Sequence, residues 1–152
     1  MKRAFFCRAV FLFAAVCCCA ACSEQPPPAS AEGRRLLLTA GGTELVITLG
    51  DSRAAAELWQ QLPLELQLED HSGFAKGMRL PRILFAGEET TRRYAVGDLA
   101  YWPEGPDLAV FYQHTLDETI VPVIPLGRAE EGAAALGQAS GAMRLEALPD
   151  GE

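Results

Sequence analysis

Residues 97–103 read Gly-Asp-Leu-Ala-Tyr-Trp-Pro, and residues 108–112 read Leu-Ala-Val-Phe-Tyr. Both runs carry the aliphatic and aromatic side chains that favour β-strands. Gly97-Asp98 and the Pro-Glu-Gly-Pro of residues 103–106 are turn signals in front of and between them. The stretch therefore predicts two short strands, 99–102 and 108–112, joined by a proline-bounded turn.

Upstream of this stretch, the pattern predicts a hairpin. Arg35–Ala40 and Thr43–Leu49 flank Gly41-Gly42, and paired glycines supply the positive φ angles that tight hairpin turns require. Farther on, leucines alternate with polar residues from 64 to 70, which is typical of a strand with one face in water. The domain thus begins with strands on both sides of residues 50–63.

Those intervening residues change to a helical period. Over residues 52–62 the apolar side chains fall on one helical face, with Asp51 or Ser52 as the N-cap and Pro63 as the stop. Trp59 lies on that face and is assigned to the core rather than to a ligand site. We therefore expect a short helix between the hairpin and the next strand.

The remainder of the chain is a series of short apolar runs separated by breakers. Further strands are predicted at residues 80–85, 93–96, 119–126 and 143–148, and a short helix at residues 129–136. Pro122 and Pro125 would confine the strand at 119–126 to an edge or split it. The order predicts a mostly β domain with two short helices, as a small closed barrel with helices packed over its ends. A split α+β sheet is the alternative.

The N-terminus has the charge and hydropathy order of an export signal. A basic start precedes an apolar run from residue 9 to 21, which is too short to span a membrane but long enough for a signal-peptide core. Cys22, after two alanines, resembles the acylated cysteine of a bacterial lipobox, although Cys19 stands where such motifs usually carry an aliphatic residue. We therefore predict a lipoprotein signal at 1–22, a flexible proline-rich tether at 23–33 and a domain at 34–149, lipid-anchored in the cell envelope and facing the periplasm or exterior.

Composition limits the possible partners. All five cysteines lie at or before residue 22, so the domain has no disulfide and no thiolate for catalysis or metal binding. Removing the three basic residues of the leader, Lys2, Arg3 and Arg8, changes the net charge from -7 to -10. Such an acidic surface lacks the basic footprint that nucleic acid requires. The predicted partners are the membrane, through the anchor, and a peptide or protein; no cofactor is predicted.

The run at 97–103, with the strand at 108–112, resembles the cyclophilin-like families of bacteria, particularly the compact ones of uncharacterised role. The neighbouring motifs agree with this resemblance: Ala-Ala-Glu-Leu-Trp-Gln-Gln-Leu-Pro-Leu-Glu-Leu-Gln-Leu at 55–68, the Lys-x-x-x-Leu-Pro element at 76–81, and the Leu126-Gly127 turn with Gly132. Ala75 departs from it, because the family usually carries an acidic residue before the lysine. The resemblance implies a closed cyclophilin-like β-barrel.

Activity does not follow from a fold. Cyclophilins that isomerise prolyl bonds use an arginine beside a hydrophobic proline pocket and a glutamine-phenylalanine pair. Arg79 and Arg82 lie in the corresponding region but outside the Phe-His-Arg signature, and no glutamine precedes Phe111. We predict no catalytic residue; if the domain is an isomerase, Arg79 and Arg82 are the candidates.

The ligand-binding candidates come from the aromatic strands and their surroundings. Consecutive strand residues point to opposite faces; if Tyr101 and Phe111 fill the barrel, Trp102 and Tyr112 form a patch on the other face. The alternative is that the helices or the turn at 103–106 cover this patch. The complete candidate set is Arg79, Tyr101, Trp102, Phe111, Tyr112 and His114.

The two histidines, His71 and His114, have acidic neighbours but no third ligand at a suitable spacing, so they are interpreted as solvated loop residues and no metal site is predicted.

Three functions are consistent with these features. The first is a non-catalytic module that binds a peptide, protein segment or small ligand. The second is a peptidyl-prolyl isomerase with an altered active site, and the third is a structural component of an envelope assembly, which would show an apolar patch without a concave pocket. The sequence favours the binding module.

Overall fold

The computed structural model describes residues 26–149, so the predicted signal peptide and Cys22 lie outside the described residues. Within that range the chain forms nine strands, one α-helix and one 3-10 helix. Their bounds are β1 Arg35–Ala40, β2 Thr43–Leu49, α1 Arg53–Gln61, β3 Leu64–Gln67, β4 Glu69–His71, β5 Ala75–Arg79, β6 Asp98–Trp102, β7 Asp107–Phe111, β8 Ile124–Ala129, the 3-10 helix Ala133–Gln138 and β9 Ala142–Ala147. The prediction of a mostly β domain with two short helices is confirmed.

The strands form a single sheet in the order β3-β9-β1-β2-β8-β6-β7-β5-β4. The two outermost strands, β3 and β4, are consecutive in the chain and are separated only by Leu68, whose amide donates to Gly141 O at 2.9 Å. The sheet therefore curls until its two edges meet at Leu68, giving a nearly closed barrel. The predicted barrel is confirmed over the split α+β sheet, while the single strand predicted at 64–70 is two strands with different partners.

Every second side chain along the strands points into the barrel and fills its interior. In β1 the side chains of Leu36, Leu38 and Ala40 are buried, and in β2 those of Leu45, Ile47 and Leu49 are buried. Both helices add buried side chains to this interior cluster, Ala54, Ala55 and Leu58 from α1 and Ala133 and Leu136 from the 3-10 helix. One hydrophobic core thus includes strands and helices alike.

Local signals explain the hairpin and the helix. Gly41 and Gly42 have φ angles of 54° and 81°, the left-handed values that their sequence predicts. Ser52 caps α1 by accepting a hydrogen bond from the amide of Ala55 at 3.0 Å. Trp59 is half-buried against the interior cluster, in agreement with its assignment to the core face.

Two predicted strands, at residues 80–85 and 93–96, do not form. Leu80 and Leu84 are buried, but the backbone at 84 and 85 donates to side chains, to Tyr101 Oη at 3.2 Å and to Glu57 Oε2 at 2.6 Å. These apolar runs pack without a strand partner. The structure instead has β5, which the sequence did not predict. The strand has only five residues, and Lys76 lies at one of its inward positions, where an apolar side chain would be expected.

The C-terminal elements are shifted along the chain. The strand predicted at 119–126 is β8, which starts later and runs between β2 and β6 rather than at an edge. Pro125 fits there because the β6–β8 register shifts between Leu99 and Ala100, opposite the proline. The helix predicted at 129–136 is the 3-10 helix Ala133–Gln138, since residues up to 129 extend β8.

The last part of the predicted tether belongs to the fold. Ala31 is fully buried in the interior cluster, Ser30 Oγ donates to Asp51 Oδ1 at 2.9 Å, and the amide of Gly33 donates to Leu49 O at 3.0 Å. The packed domain therefore starts before the predicted boundary at residue 34. Between residues 26 and 149, no helix is both long enough and apolar enough to cross a bilayer.

Candidate binding groove

Strand register decides which candidate side chains share a face. Because Tyr101 pairs with Leu108, the side chains of Tyr101, Leu108 and Val110 point into the barrel. Phe111 lies one residue out of step with them and points outward, on the same face as Trp102. The conditional grouping of Tyr101 with Phe111 inside the barrel and Trp102 with Tyr112 outside is therefore wrong. The inward pair is Tyr101 and Tyr112, and the outward pair is Trp102 and Phe111.

A row of small residues crosses this outer face. Gly77 of β5 pairs with Ala109 of β7, and Ala109 pairs with Ala100 of β6. Since neighbouring strands are about 4.8 Å apart, the three residues span about 10 Å perpendicular to the strands. Of the three, Ala109 lies in the floor of what we call the outer groove, whereas the His71 ring covers Gly77 and Ala100 is 2% exposed.

Aromatic side chains build one wall of the outer groove. Phe74 stacks on Phe111 with ring centroids 5.8 Å apart, and Tyr94 packs on Phe111 at 4.5 Å. Val123 completes this second hydrophobic cluster, which is distinct from the barrel interior. Phe74 and Phe111 line the groove, and each ring of the cluster packs against a neighbouring ring.

Trp102 and the loop before β8 form the rest of the wall. Trp102 is half-buried, and its indole lies over Gly105 so closely that a Cβ there would overlap the ring. The turn at 103–106 therefore covers one side of Trp102, in agreement with the alternative that this turn covers the aromatic patch. The groove has a volume of about 210 Å³, and its other lining residues include Thr119, Ile120 and Val121.

His71 closes the end of the outer groove at the edge strand. It is half-buried at the end of β4, and a Cβ at Gly77 would overlap its imidazole. The interpretation of His71 as a solvated loop residue is therefore wrong: the absent side chain at Gly77 gives the ring its place. The signal in the sequence was Gly77, since a glycine inside a strand often marks a place where another group approaches closely.

Arg79 and Asp107 lie at the opposite side of the floor. They are cross-strand partners, and Asp107 accepts from Arg79 Nε at 2.9 Å and from Nη2 at 3.3 Å. Asp107 is nearly buried and lines the groove, while the Arg79 side chain is 69% exposed. A guanidinium has five N–H donors, so this ion pair orients the group and leaves three donors for other acceptors.

Arg82 is on a different surface. It lies in the loop after β5 with an exposed side chain, and its carbonyl accepts from Gln61 Nε2 of α1 at 3.3 Å. It lines a polar depression beside α1 together with Pro26 and Pro28. The structure thus separates the two candidate arginines and leaves only Arg79 near the outer groove.

Tyr112 belongs to a polar cluster at the inward face. Its hydroxyl donates to Asp70 Oδ1 at 2.8 Å, and Lys76 Nζ lies 2.9 Å from the same oxygen. The Lys76 side chain is 8% exposed, whereas that of Asp70 is 45% exposed. Hydrogen bonds from Lys76 and then from Tyr112 hold the pKa of Asp70 below its usual value, and burial beside Asp70 raises the pKa of Tyr112. Tyr112 is therefore a structural contact rather than a groove residue.

His114 stacks on Tyr94 with ring centroids 5.1 Å apart and is exposed, so it lies behind the aromatic wall rather than in the groove. Across residues 26–149, no three His, Cys, Asp or Glu side chains come together as a metal site. Of the candidate set, Trp102 and Phe111 line the groove, Arg79 flanks it, and Tyr101 lies in the core. Ala75 and Ala109, which also line the groove, were not predicted, because only the pairing of β5 with β7 brings them together.

This fold has counterparts among known proteins. The model of the cyclophilin-like family matches residues 38–147, and the chain belongs to that family. Its fold is similar to the solution structure of a hypothetical protein from Archaeoglobus fulgidus, with 19% sequence identity, a TM-score of 0.63, and coverage of 79% of this chain and 98% of that one.

It is also similar to McbB, solved in complex with tryptophan, with 14% identity and a TM-score of 0.59, over 77% of this chain and 46% of McbB. No curated protein matches the sequence. At these identities the structural likenesses concern the fold alone.

Proposed function

We propose that this cyclophilin-like domain is a non-catalytic binding module that takes one apolar side chain of a peptide or protein segment into the outer groove. The observation that carries the proposal is the concavity over Ala109, which lies between the aromatic side chains of Phe74 and Phe111 and the Arg79–Asp107 pair. Concave, mostly apolar sites with a few fixed polar groups are typical of ligand binding.

The size of the groove favours a side chain over a whole small molecule. Small-molecule sites usually measure roughly 300–1,000 Å³, and the outer groove measures about 210 Å³. An aliphatic, prolyl or aromatic side chain suits that space, while the remainder of a peptide would lie across the exposed rim. A purely structural envelope component would more readily present an apolar patch without such a concavity.

The proposal also places the module outside the cytoplasm, in the cell envelope, held to the membrane through an acylated Cys22. The support is the N-terminal sequence: a basic start, an apolar run and Cys22 behind two small residues. Labelling of cells with an alkyne-bearing palmitate tests it, since the label is expected on the wild-type protein and absent from Cys22→Ala.

Binding is tested with blocked tripeptides that differ in the central residue. NMR titration of the domain with Ala-Pro-Ala, Ala-Leu-Ala, Ala-Phe-Ala and Ala-Asp-Ala peptides is expected to move the amide signals of the lining residues Ala75 and Ala109 for the apolar members only. Free tryptophan serves as the small-molecule comparison. Saturable binding of tryptophan, together with no binding of any of the peptides, would contradict the proposal that the ligand is a peptide.

A matched pair of substitutions localises the site. Ala109→Leu fills the floor and is expected to weaken peptide binding at least tenfold, because the side chain occupies the ligand's space. Ala142→Leu adds the same atoms to an exposed strand position and is expected to leave binding unchanged. Equal effects of both substitutions would exclude the outer groove as the site.

One observation favours prolyl isomerisation as a second candidate: Arg79 lies beside an apolar groove, as an isomerase requires. Its pairing with Asp107 opposes this role, because the carboxylate offsets the guanidinium charge that would polarise the prolyl amide. A protease-coupled proline isomerisation assay separates the two functions. Acceleration that Arg79→Ala abolishes and Arg82→Ala preserves would establish the isomerase, and no acceleration by wild type is the result expected for a binding module.

A further inference from the structure

A second surface of interest is the polar depression beside α1, where the N-terminal segment meets the domain. Pro26 and Pro28 line this depression with Arg53, Arg82 and Ile83. The segment is then fixed by the Ser30–Asp51 hydrogen bond and by burial of Ala31. The position at which the chain reaches the domain is therefore defined.

Chain length limits how far this surface can be from the anchor. Cys22 and Pro26 are four residues apart, and a fully extended chain spans at most about 3.6 Å per residue, or about 14 Å in total. The headgroup layer of a bilayer takes about 5–7 Å of that distance. An acylated Cys22 would hold Pro26 within about 10 Å of the headgroups.

The side chains next to Pro26 suit contact with a membrane. Ile83 is 73% exposed, more than the other exposed large apolar side chains among residues 26–149. Arg82 beside it is exposed, and Arg53 lies over the Phe85 ring at 4.2 Å. Glu57 gives both carboxylate oxygens to local partners, Arg53 Nε and the Phe85 amide. Among the residues that line the depression the two arginines outnumber the one carboxylate, that of Glu57, on a protein whose net charge is -7.

We propose that the surface formed by Arg53, Arg82 and Ile83 rests on the bilayer, with Ile83 inserted among the lipid headgroups and the two arginines against phosphates. This inference rests on the proposed anchoring at Cys22. Isolated exposed apolar residues are common and need no function. Ile83 differs from them because the tether holds it within reach of the membrane. The neighbouring Arg53 and Arg82 also carry positive charge, which lipid phosphates attract.

The test uses Cys22 as the sole thiol of the chain from that residue onward. The protein from Cys22 to Glu152 is coupled to a maleimide lipid in phosphatidylcholine vesicles that contain phosphatidylglycerol and bromine-labelled acyl chains, which quench nearby tryptophan. Ile83→Trp is expected to lose most of its added emission on these vesicles. The control Ile120→Trp, at a site 60% exposed on the groove side, is expected to keep its emission.

Two further results decide the proposal. Adding Arg82→Glu to Ile83→Trp is expected to restore a large part of the emission, since the headgroup contact becomes repulsive. Equal quenching of the two tryptophan variants, or none of Ile83→Trp, would overturn the membrane contact. Chemical coupling makes this outcome independent of acylation in cells, so palmitate labelling that survives Cys22→Ala would overturn the anchoring itself and the inference with it.

Discussion

The pair formed by Asp70 and Lys76 makes a sharp prediction about stability. Lys76 Nζ is buried and lies 2.9 Å from Asp70 Oδ1, while Asp70 keeps nearly half of its side chain in water. Removing the carboxylate therefore leaves a buried cation without its counter-charge, whereas removing the lysine leaves a carboxylate that water can solvate. The two substitutions should differ in cost because the two partners differ in exposure.

A charge-assisted hydrogen bond contributes about 1.5–3 kcal/mol, and the exposure of Asp70 places this pair at the low end. We expect Asp70→Asn to lower the free energy of unfolding by about 1.5–2 kcal/mol, and Lys76→Met, which is similar in shape, by less than about 1 kcal/mol. In the Lys76→Met background, Asp70→Asn should cost only about 0.5 kcal/mol. The unfolding temperature of Asp70→Asn should fall by about 5–10 °C for a domain of this size.

The measurement is urea unfolding followed by tryptophan fluorescence. Wild type, the two single variants and the double variant are compared with the same dependence of unfolding free energy on urea concentration. Because the folded state lowers the pKa of Asp70, its contribution is present above the unfolded pKa and is lost as pH falls through the folded value. Wild type should therefore lose stability below about pH 4 more steeply than Asp70→Asn. Additive costs, or Lys76→Met as costly as Asp70→Asn, would refute the reasoning.

Three other substitutions test the packing that shapes the barrel and the groove. Gly77→Ala should destabilise the wild type by about 1–2 kcal/mol, because it displaces His71, yet stabilise a His71→Ala background by about 0.5 kcal/mol in chemical denaturation. Tyr101→Phe should cost about 1–2 kcal/mol by calorimetry, since the buried amide of Leu84 loses its acceptor; a change below about 0.3 kcal/mol would contradict that bond. Ser52→Ala should cost about 1 kcal/mol and lower helix content by circular dichroism, as loss of an N-cap does.

The parts of the fold that local signals determine were predictable. Gly41-Gly42 requires a tight turn, the alternation in β1 and β2 is strict, and Ser52 with Pro63 bounds the helix. The strands at 99–102 and 108–112 follow from β-favouring residues between proline and glycine turns. In each of these cases the signal and its structural effect lie within a few residues of each other.

The parts that depend on pairing between distant strands were not predictable. The groove depends on the pairing of β5 with β7, which places Ala75 beside Phe111 and the His71-covered Gly77 beside Ala109, and no local pattern reveals this pairing. β5 was missed because lysine at an inward position contradicts the usual partition of charge, and only Asp70 and Tyr112 make its burial tolerable. Strand 64–70 was divided because its two halves pair with opposite edges of the sheet.

The position of β9 has a consequence for the order of events during synthesis. The first strand pairs with the last, so that Leu36 faces Ala147, and β3 also depends on β9 for its partner. A growing chain therefore cannot complete its sheet until nearly the whole sequence has emerged, and such long-range pairing is intrinsically slow. An incomplete chain therefore remains without the closed core, which forms only once the residues of β9 are available to pair.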